Sequence, residues 1–154
     1  MQYKSLNEVD LSNKTVLLRS DLNTPIENGF VVNNERILRS LPTLNFIIEA
    51  GARLVIMSHL GRPEENDIFQ EEFSLLPVVK EMENLLNKKI MFYNLGEFEN
   101  LEKIPEISVI ENTRFCIGEK SNDIDLSKRL AGLGDLYVSV AGGRNSKMGY
   151  YLGK

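Results

Sequence analysis

Val55-Ile56-Met57-Ser58-His59-Leu60-Gly61-Arg62-Pro63 runs from an apolar segment into a small polar turn that carries an arginine and the chain's one histidine. A short apolar run bounded by turn residues reads as a strand buried on both faces, the kind found in parallel sheets covered by helices. In such sheets ligands sit outside the carboxyl ends of the strands. The turn after Met57 therefore places two cation-capable side chains where a ligand is expected.

Similar apolar runs recur along the chain. Lys14 to Asp21, Arg53 to Ser58, Lys89 to Tyr93, Ile107 to Asn112 and Leu136 to Val140 read as five strands. Helical patterns lie between them. From Asn34 to Ala50, Ile37, Leu41, Leu44, Ile47 and Ile48 recur at steps of three and four, with Gly51 as a stop. Pro42 predicts either a regular start near Ser40 or a kink. Ser74 reads as the N-cap of a helix reaching about Asn87, with Pro77 in its first turn and Leu75, Val78 or Val79, Met82, Leu85 and Leu86 inward. Shorter helices are expected from Glu97 to Lys103 and from about Asp123, the latter burying Leu126, Leu130 and Leu133. Asn28-Gly29 marks a small hairpin within Glu27 to Val32. The acidic stretch from Glu64 to Glu72 reads as a flexible surface connection.

Strands alternating with helices imply βαβ units and so a single α/β domain. The expected architecture is a three-layer, Rossmann-like, mostly parallel sheet with helices on both faces. Right-handed crossovers then bring every strand end to one edge. Asp21, Asn23, His59, Arg62 and Arg114 should share that edge, and Arg36 lies at or just before a helix start. Arginines clamp oxyanions in a bidentate fashion, while an aspartate accepts a hydrogen bond from a hydroxyl. The set suits a small, multiply anionic ligand that also carries a hydroxyl.

Composition narrows the alternatives. The chain has 154 residues, of which 42% are hydrophobic and 26% charged, as in a globular domain. No apolar run approaches the roughly 18 residues of a membrane span, and the first residues lack a signal-peptide pattern, so a cytoplasmic location is expected. A net charge of -4 argues against a general nucleic-acid binder. Cys116 is the one cysteine and reads as a small, partly buried side chain. Walker A and G-x-G-x-x-G nucleotide loops are missing, as are metal-ligand clusters and nucleophile triads.

Four strings, in order and in register, resemble the amino-terminal half of phosphoglycerate kinase. They are Arg19-x-Asp21-x-Asn23-x-Pro25, Asn34-x-Arg36-Ile37, Ser58-His59-Leu60-Gly61-Arg62-Pro63 and Glu111-Asn112-x-Arg114-Phe115. The resemblance covers about residues 14 to 141, with a divergent tail over 142 to 154. It implies a two-domain kinase that moves a phosphoryl group between 1,3-bisphosphoglycerate and ADP, giving 3-phosphoglycerate and MgATP. Matched by position, Asp21 and Asn23 would orient the glycerate hydroxyl and carboxyl end. Arg62 and Arg114 would bind the non-transferred phosphate beside His59, and Arg36 would face the transferring phosphoryl as the catalytic charge.

MgATP and MgADP would belong to the other half of the intact enzyme, so no cofactor is assigned to residues 1–154. This chain would bind 3-phosphoglycerate without turning over, or serve as a non-catalytic binding or interaction domain. An exposed interdomain face would favour self-association. In the tail, counting straight across puts Lys147 where a further phosphate-binding arginine belongs; a deletion that aligns Gly149 to Lys154 with a later stretch is equally compatible. A competing reading takes Asp21-Leu22-Asn23-Thr24 as the Asp-x-Asp-x-Thr loop of a haloacid-dehalogenase-type phosphatase. It needs an acid where Asn23 stands.

Overall fold

A computed structural model describes residues 4–139. Five strands, β1 (Thr15–Arg19), β4 (Arg53–Met57), β5 (Met91–Tyr93), β6 (Ile107–Ile110) and β7 (Leu136–Ser139), form one sheet in the order β5-β6-β4-β1-β7. Every pairing in it is parallel, as the expectation of a mostly parallel sheet required. β2 (Ile26–Glu27) and β3 (Phe30–Val31) form the separate hairpin, turned by Asn28 and Gly29 at positive φ.

Side chains of the three central strands alternate between the two faces. Val16, Leu18, Leu54, Ile56, Ile107 and Val109 pack with α1 (Glu35–Glu49) and α2 (Leu76–Leu86). Leu17, Val55, Met57 and Ile110 pack on the other face with α3 (Leu95–Glu99) and α4 (Ile124–Ala131). The continuous apolar runs of the sequence are thus two interleaved faces, each covered by its own pair of helices. The topology follows from this split. Connections leaving β1 and β4 cross the α1/α2 face, and those leaving β5 and β6 cross the α3/α4 face. The direction of travel reverses between β4 and β6, which are neighbours. That is the point where a crevice opens in a doubly wound sheet.

Local departures from the sequence reading have local causes. α1 runs unbroken through Pro42, with neither a late start nor an interruption. The proline removes the N–H that would reach the carbonyl of Leu38, and Leu38 lies on the solvent side of the helix. α3 begins at Leu95 because Asn94 and Glu97 form a reciprocal capping box, and it ends at Glu99, well short of Lys103. β5 begins at Met91 because the Ile90 amide donates to Glu83 Oε1 at 2.8 Å instead of to a neighbouring strand. Leu75, and not Ser74, occupies the N-cap position of α2. The Ser74 hydroxyl accepts from the Leu76 amide at 3.2 Å and donates to Glu111. Leu85 is turned outward.

Gly134, in the turn from α4 to β7, lies against the backbone of β1. A Cβ built there would stand 2.9 Å from the Thr15 carbonyl oxygen and 3.1 Å from the Leu17 nitrogen. Backbone atoms of a central strand cannot retreat. Gly134→Ala is expected to lower stability by about 1–3 kcal/mol through overpacking, read as a reduced urea midpoint with unchanged m-value.

Candidate anion site at the β4–β6 switch point

Three loops leave β1, β4 and β6 at the same sheet edge, and side-chain hydrogen bonds tie them together. Asn112, fully buried after β6, donates through Nδ2 to the Leu60 carbonyl at 2.8 Å and to the Phe73 carbonyl at 2.9 Å. Its Oδ1 accepts from the Arg114 amide at 3.1 Å. Thr113 donates to the Ser58 carbonyl through both its amide and its hydroxyl. The Ser58 hydroxyl accepts from the Leu22 amide at 3.0 Å, and Asn23 Oδ1 accepts from the Gly61 amide at 2.9 Å. The side chains of Asn112, Thr113, Ser58 and Asn23 therefore satisfy backbone groups that the ends of the strands leave unpaired.

Gly61 is the close point of the network. Its φ is +60°, and a Cβ would stand 2.6 Å from the Phe73 ring. Glycine alone meets both demands. Glu111 does related work one layer deeper. Its buried carboxylate accepts from the Leu75 amide at 2.9 Å, the Asn112 amide at 2.7 Å and the Ser74 hydroxyl at 2.7 Å, so it caps α2 from β6.

Between the braced loops lies a cavity of about 500 Å³ lined by Asn23, His59, Gly61, Arg62, Arg114 and Lys120. Among the described residues no carboxylate lines it, although the chain as a whole carries a net charge of -4. Arg114 is held in place by its own hydrogen bond, Nη1 donating to the Gly61 carbonyl at 2.6 Å. Arg62 is exposed and forms no ion pair among the described residues. Burial, followed by the nearby positive charges of Arg114 and Arg19, holds the His59 imidazole below its ordinary pKa. His59 is therefore a neutral donor or acceptor at pH 7 until an anion arrives.

Behind the cavity a carboxylate is shared between two arginines. Glu119 accepts a charge-assisted hydrogen bond from Arg19 at 2.9 Å and stands 3.8 Å from Arg114 Nε, all three side chains being largely buried. The Glu64 to Glu72 segment also departs from its expected looseness. Asp67 donates its amide to the Phe115 carbonyl at 2.8 Å and accepts from the Ile117 amide at 2.9 Å, while Glu65 accepts from the amides of Gly118 and Lys120. The acidic residues are hydrogen-bond acceptors for the turn after β6.

Of the residues expected at this edge, Asn23, His59, Arg62 and Arg114 converge on the cavity. Asp21 and Arg36 do not line it; they pair with each other at its margin, and Asp21 Oδ1 also accepts from the Asn23 amide at 3.2 Å. The local Asx turn and the charged pair thus coexist on one carboxylate. Lys147 lies outside the described residues. Lys120 and Glu119 escape motif reading because their placement depends on the fold-back of residues 115–120. Arg19 carried a usable signal, a charge closing an otherwise apolar strand. A second cavity, of about 590 Å³, opens beyond β5 and β6. Its charged lining is Asp67, Glu97, Glu111 and Arg129, and Arg129 is held by Glu99 through two 2.9 Å bonds. It is no match for an anion.

A parallel α/β sheet with helices on both faces, with Arg62, Arg114, Lys120 and His59 around a cavity at its switch point, is a domain of the doubly wound class. The phosphoglycerate kinase family profile matches residues 6–146. The chain belongs to the phosphoglycerate kinase family. It is 39% identical over 144 residues to the phosphoglycerate kinase of Desulfovibrio desulfuricans, covering 93% of this chain and 36% of that protein. The Francisella tularensis subsp. holarctica enzyme is 41% identical over 142 residues, covering 92% and 36%. Among solved structures, phosphoglycerate kinase from Coxiella burnetii superposes with a TM-score of 0.81 at 42% identity, over 90% of this chain and 35% of that one. The Pyrococcus horikoshii OT3 enzyme gives 0.72 at 28% identity, over 88% and 36%. The chain therefore spans about 36% of the length of its curated relatives. The match extends past both ends of the 14 to 141 region and stops one residue before Lys147. No helix among the described residues is long and apolar enough to cross a membrane.

A histidine whose pKa is lowered on folding binds its proton more weakly in the native than in the unfolded chain. Stability associated with neutral His59 is full above the ordinary value of 6.5 and is lost as pH falls below it toward the lowered native value. NMR titration of this single histidine is expected to give a midpoint below 6.5, and His59→Asn to flatten the loss of stability as pH falls below 6.5. A midpoint at or above 6.5 would contradict the burial.

Proposed function

We propose that this chain holds 3-phosphoglycerate or 1,3-bisphosphoglycerate in the β4–β6 cavity and supplies the substrate wall of a phosphoglycerate kinase. The observation that carries this reading is a cavity lined by Arg62, Arg114, Lys120 and His59 and, among the described residues, by no carboxylate, in an acidic chain. Arg62 and Arg114 clamp the phosphate that stays on the glycerate, and Asn23 and Asp21 orient its hydroxyl and carboxyl end. Binding a phosphate beside His59 raises the cost of removing its proton, so the imidazole becomes a better donor to the ligand as it binds.

Arg36 is assigned to the transferring phosphoryl group. Its guanidinium pairs with Asp21 on the exposed margin, half accessible to solvent, so it can turn toward an anion without opening the core. A fixed positive charge there stabilises charge spread over the phosphoryl oxygens, and the substrate carboxylate oxygen is itself the acceptor or donor of the group. The protein contributes position and charge and forms no covalent intermediate.

Phosphoryl transfer also needs a nucleotide held opposite this wall. Residues 1–154 on their own are therefore expected to bind the glycerate and not to turn over. Calorimetric titration with 3-phosphoglycerate should show saturable one-to-one binding, weakened about a hundredfold by Arg62→Ala through loss of a bidentate contact. MgADP should give no comparable isotherm, and a coupled kinase assay should stay at background. A wild-type chain that shows no saturation with 3-phosphoglycerate would overturn the reading, and clear turnover by the homogeneous chain would overturn the half-site account.

A further inference from the structure

We infer that Lys120 is a direct ligand of the substrate's phosphate, a third cation beside Arg62 and Arg114; this rests on the reading of the cavity given above. Lys120 lines the cavity with both arginines, yet it belongs to none of the four strings that carry the family resemblance. Its Nζ donates to the Pro63 carbonyl at 3.1 Å, the residue that closes the Ser58–Pro63 turn. Among the described residues that carbonyl is its one partner, and an ammonium has three donors. Two N–H groups therefore remain for a ligand.

The backbone around Lys120 is constrained from two sides, which fixes the point from which its side chain reaches the cavity. Outward, the Glu65 carboxylate accepts from the amides of Gly118 and Lys120. Inward, the preceding residue, Glu119, is buried against Arg19 and Arg114. Glu119 stands 3.8 Å from Arg114 Nε and compensates part of its charge inside the protein. A phosphate monoester carries close to two negative charges at neutral pH. Among the described residues lining the cavity, Lys120 adds a further full positive charge to Arg62 and the partly compensated Arg114.

The ligand class that follows is a phosphate monoester, in preference to a simple carboxylate. Calorimetric titration of the wild-type chain, Lys120→Met, Lys120→Arg and Arg62→Ala with 3-phosphoglycerate tests this, with thermal unfolding of each variant as the fold control. Lys120→Met is expected to weaken binding roughly tenfold, the loss of one charge-assisted hydrogen bond partly open to solvent, with a cooperative unfolding transition retained despite the lost bond to the Pro63 carbonyl. Lys120→Arg should stay within about threefold of wild type, since it keeps the charge and the reach. As a variant-independent check, 3-phosphoglycerate should protect Lys120 from acetylation by an amine-reactive reagent, read by mass spectrometry. Lys120→Met within about twofold of wild type, together with strong loss in Arg62→Ala, would overturn the Lys120 assignment and leave the cavity reading standing. Absence of binding by the wild-type chain would overturn both.

Discussion

Three irregular segments meet at one edge of the sheet, and the backbone groups they bury must be paired. Asn112 meets most of that requirement: one side-chain amide holds the carbonyls of Leu60 and Phe73 and the amide of Arg114. An asparagine in the turn after a buried strand offers two donors and an acceptor in one plane, which no charged or apolar residue of that size can do. Leaving such groups unpaired costs about 1–3 kcal/mol each, so the turn is as much a part of the folded core as the leucines beneath it. This brace joins the loops after β4 and β6 beside the cavity that both of them line.

Charge is distributed to the same end. Most acids lie in surface positions or are absorbed as acceptors: Glu111 caps α2, Glu65 and Asp67 hold the turn after β6, and Glu119 is enclosed by Arg19 and Arg114. Each of these carboxylates is thereby committed to the protein, and of the cavity's cations Arg114 is the one that a carboxylate partly compensates. A buried carboxylate between two arginines is an uncertain source of stability but a good source of orientation, since the geometry that satisfies one arginine restricts the other. Arg114 is fixed both by Glu119 and by the Gly61 carbonyl, so it meets a ligand with little rearrangement.

The strands, the helices on each face and the anion-binding edge were legible from the sequence because each rests on a local pattern. Apolar runs ending in Asp21, Ser58 and Asn112 set the strand ends, and the three- and four-residue steps of Ile37, Leu44 and Ile47 set α1. What failed to read locally was competition between partners. Ser74 would cap its own helix in isolation, but Glu111 arrives from β6 and takes the hydroxyl. Glu64 to Glu72 is acidic and polar, as a mobile loop would be, yet its acceptors find amides more than 45 residues away in the chain.

By itself the sequence determined the class of the fold, the edge at which chemistry would gather and the four strings that place the chain in its family, because side-chain period and turn chemistry are properties of neighbours along the chain. The strand order, and with it the switch point between β4 and β6, was decided only in three dimensions, since every parallel pairing is equally compatible with the runs themselves. Tertiary structure also separated the six described residues of the expected site into four that line the cavity and two, Asp21 and Arg36, that pair with each other outside its lining. It added Lys120, which no motif marks, because a side chain's place at a cavity depends on how its loop is held from both sides.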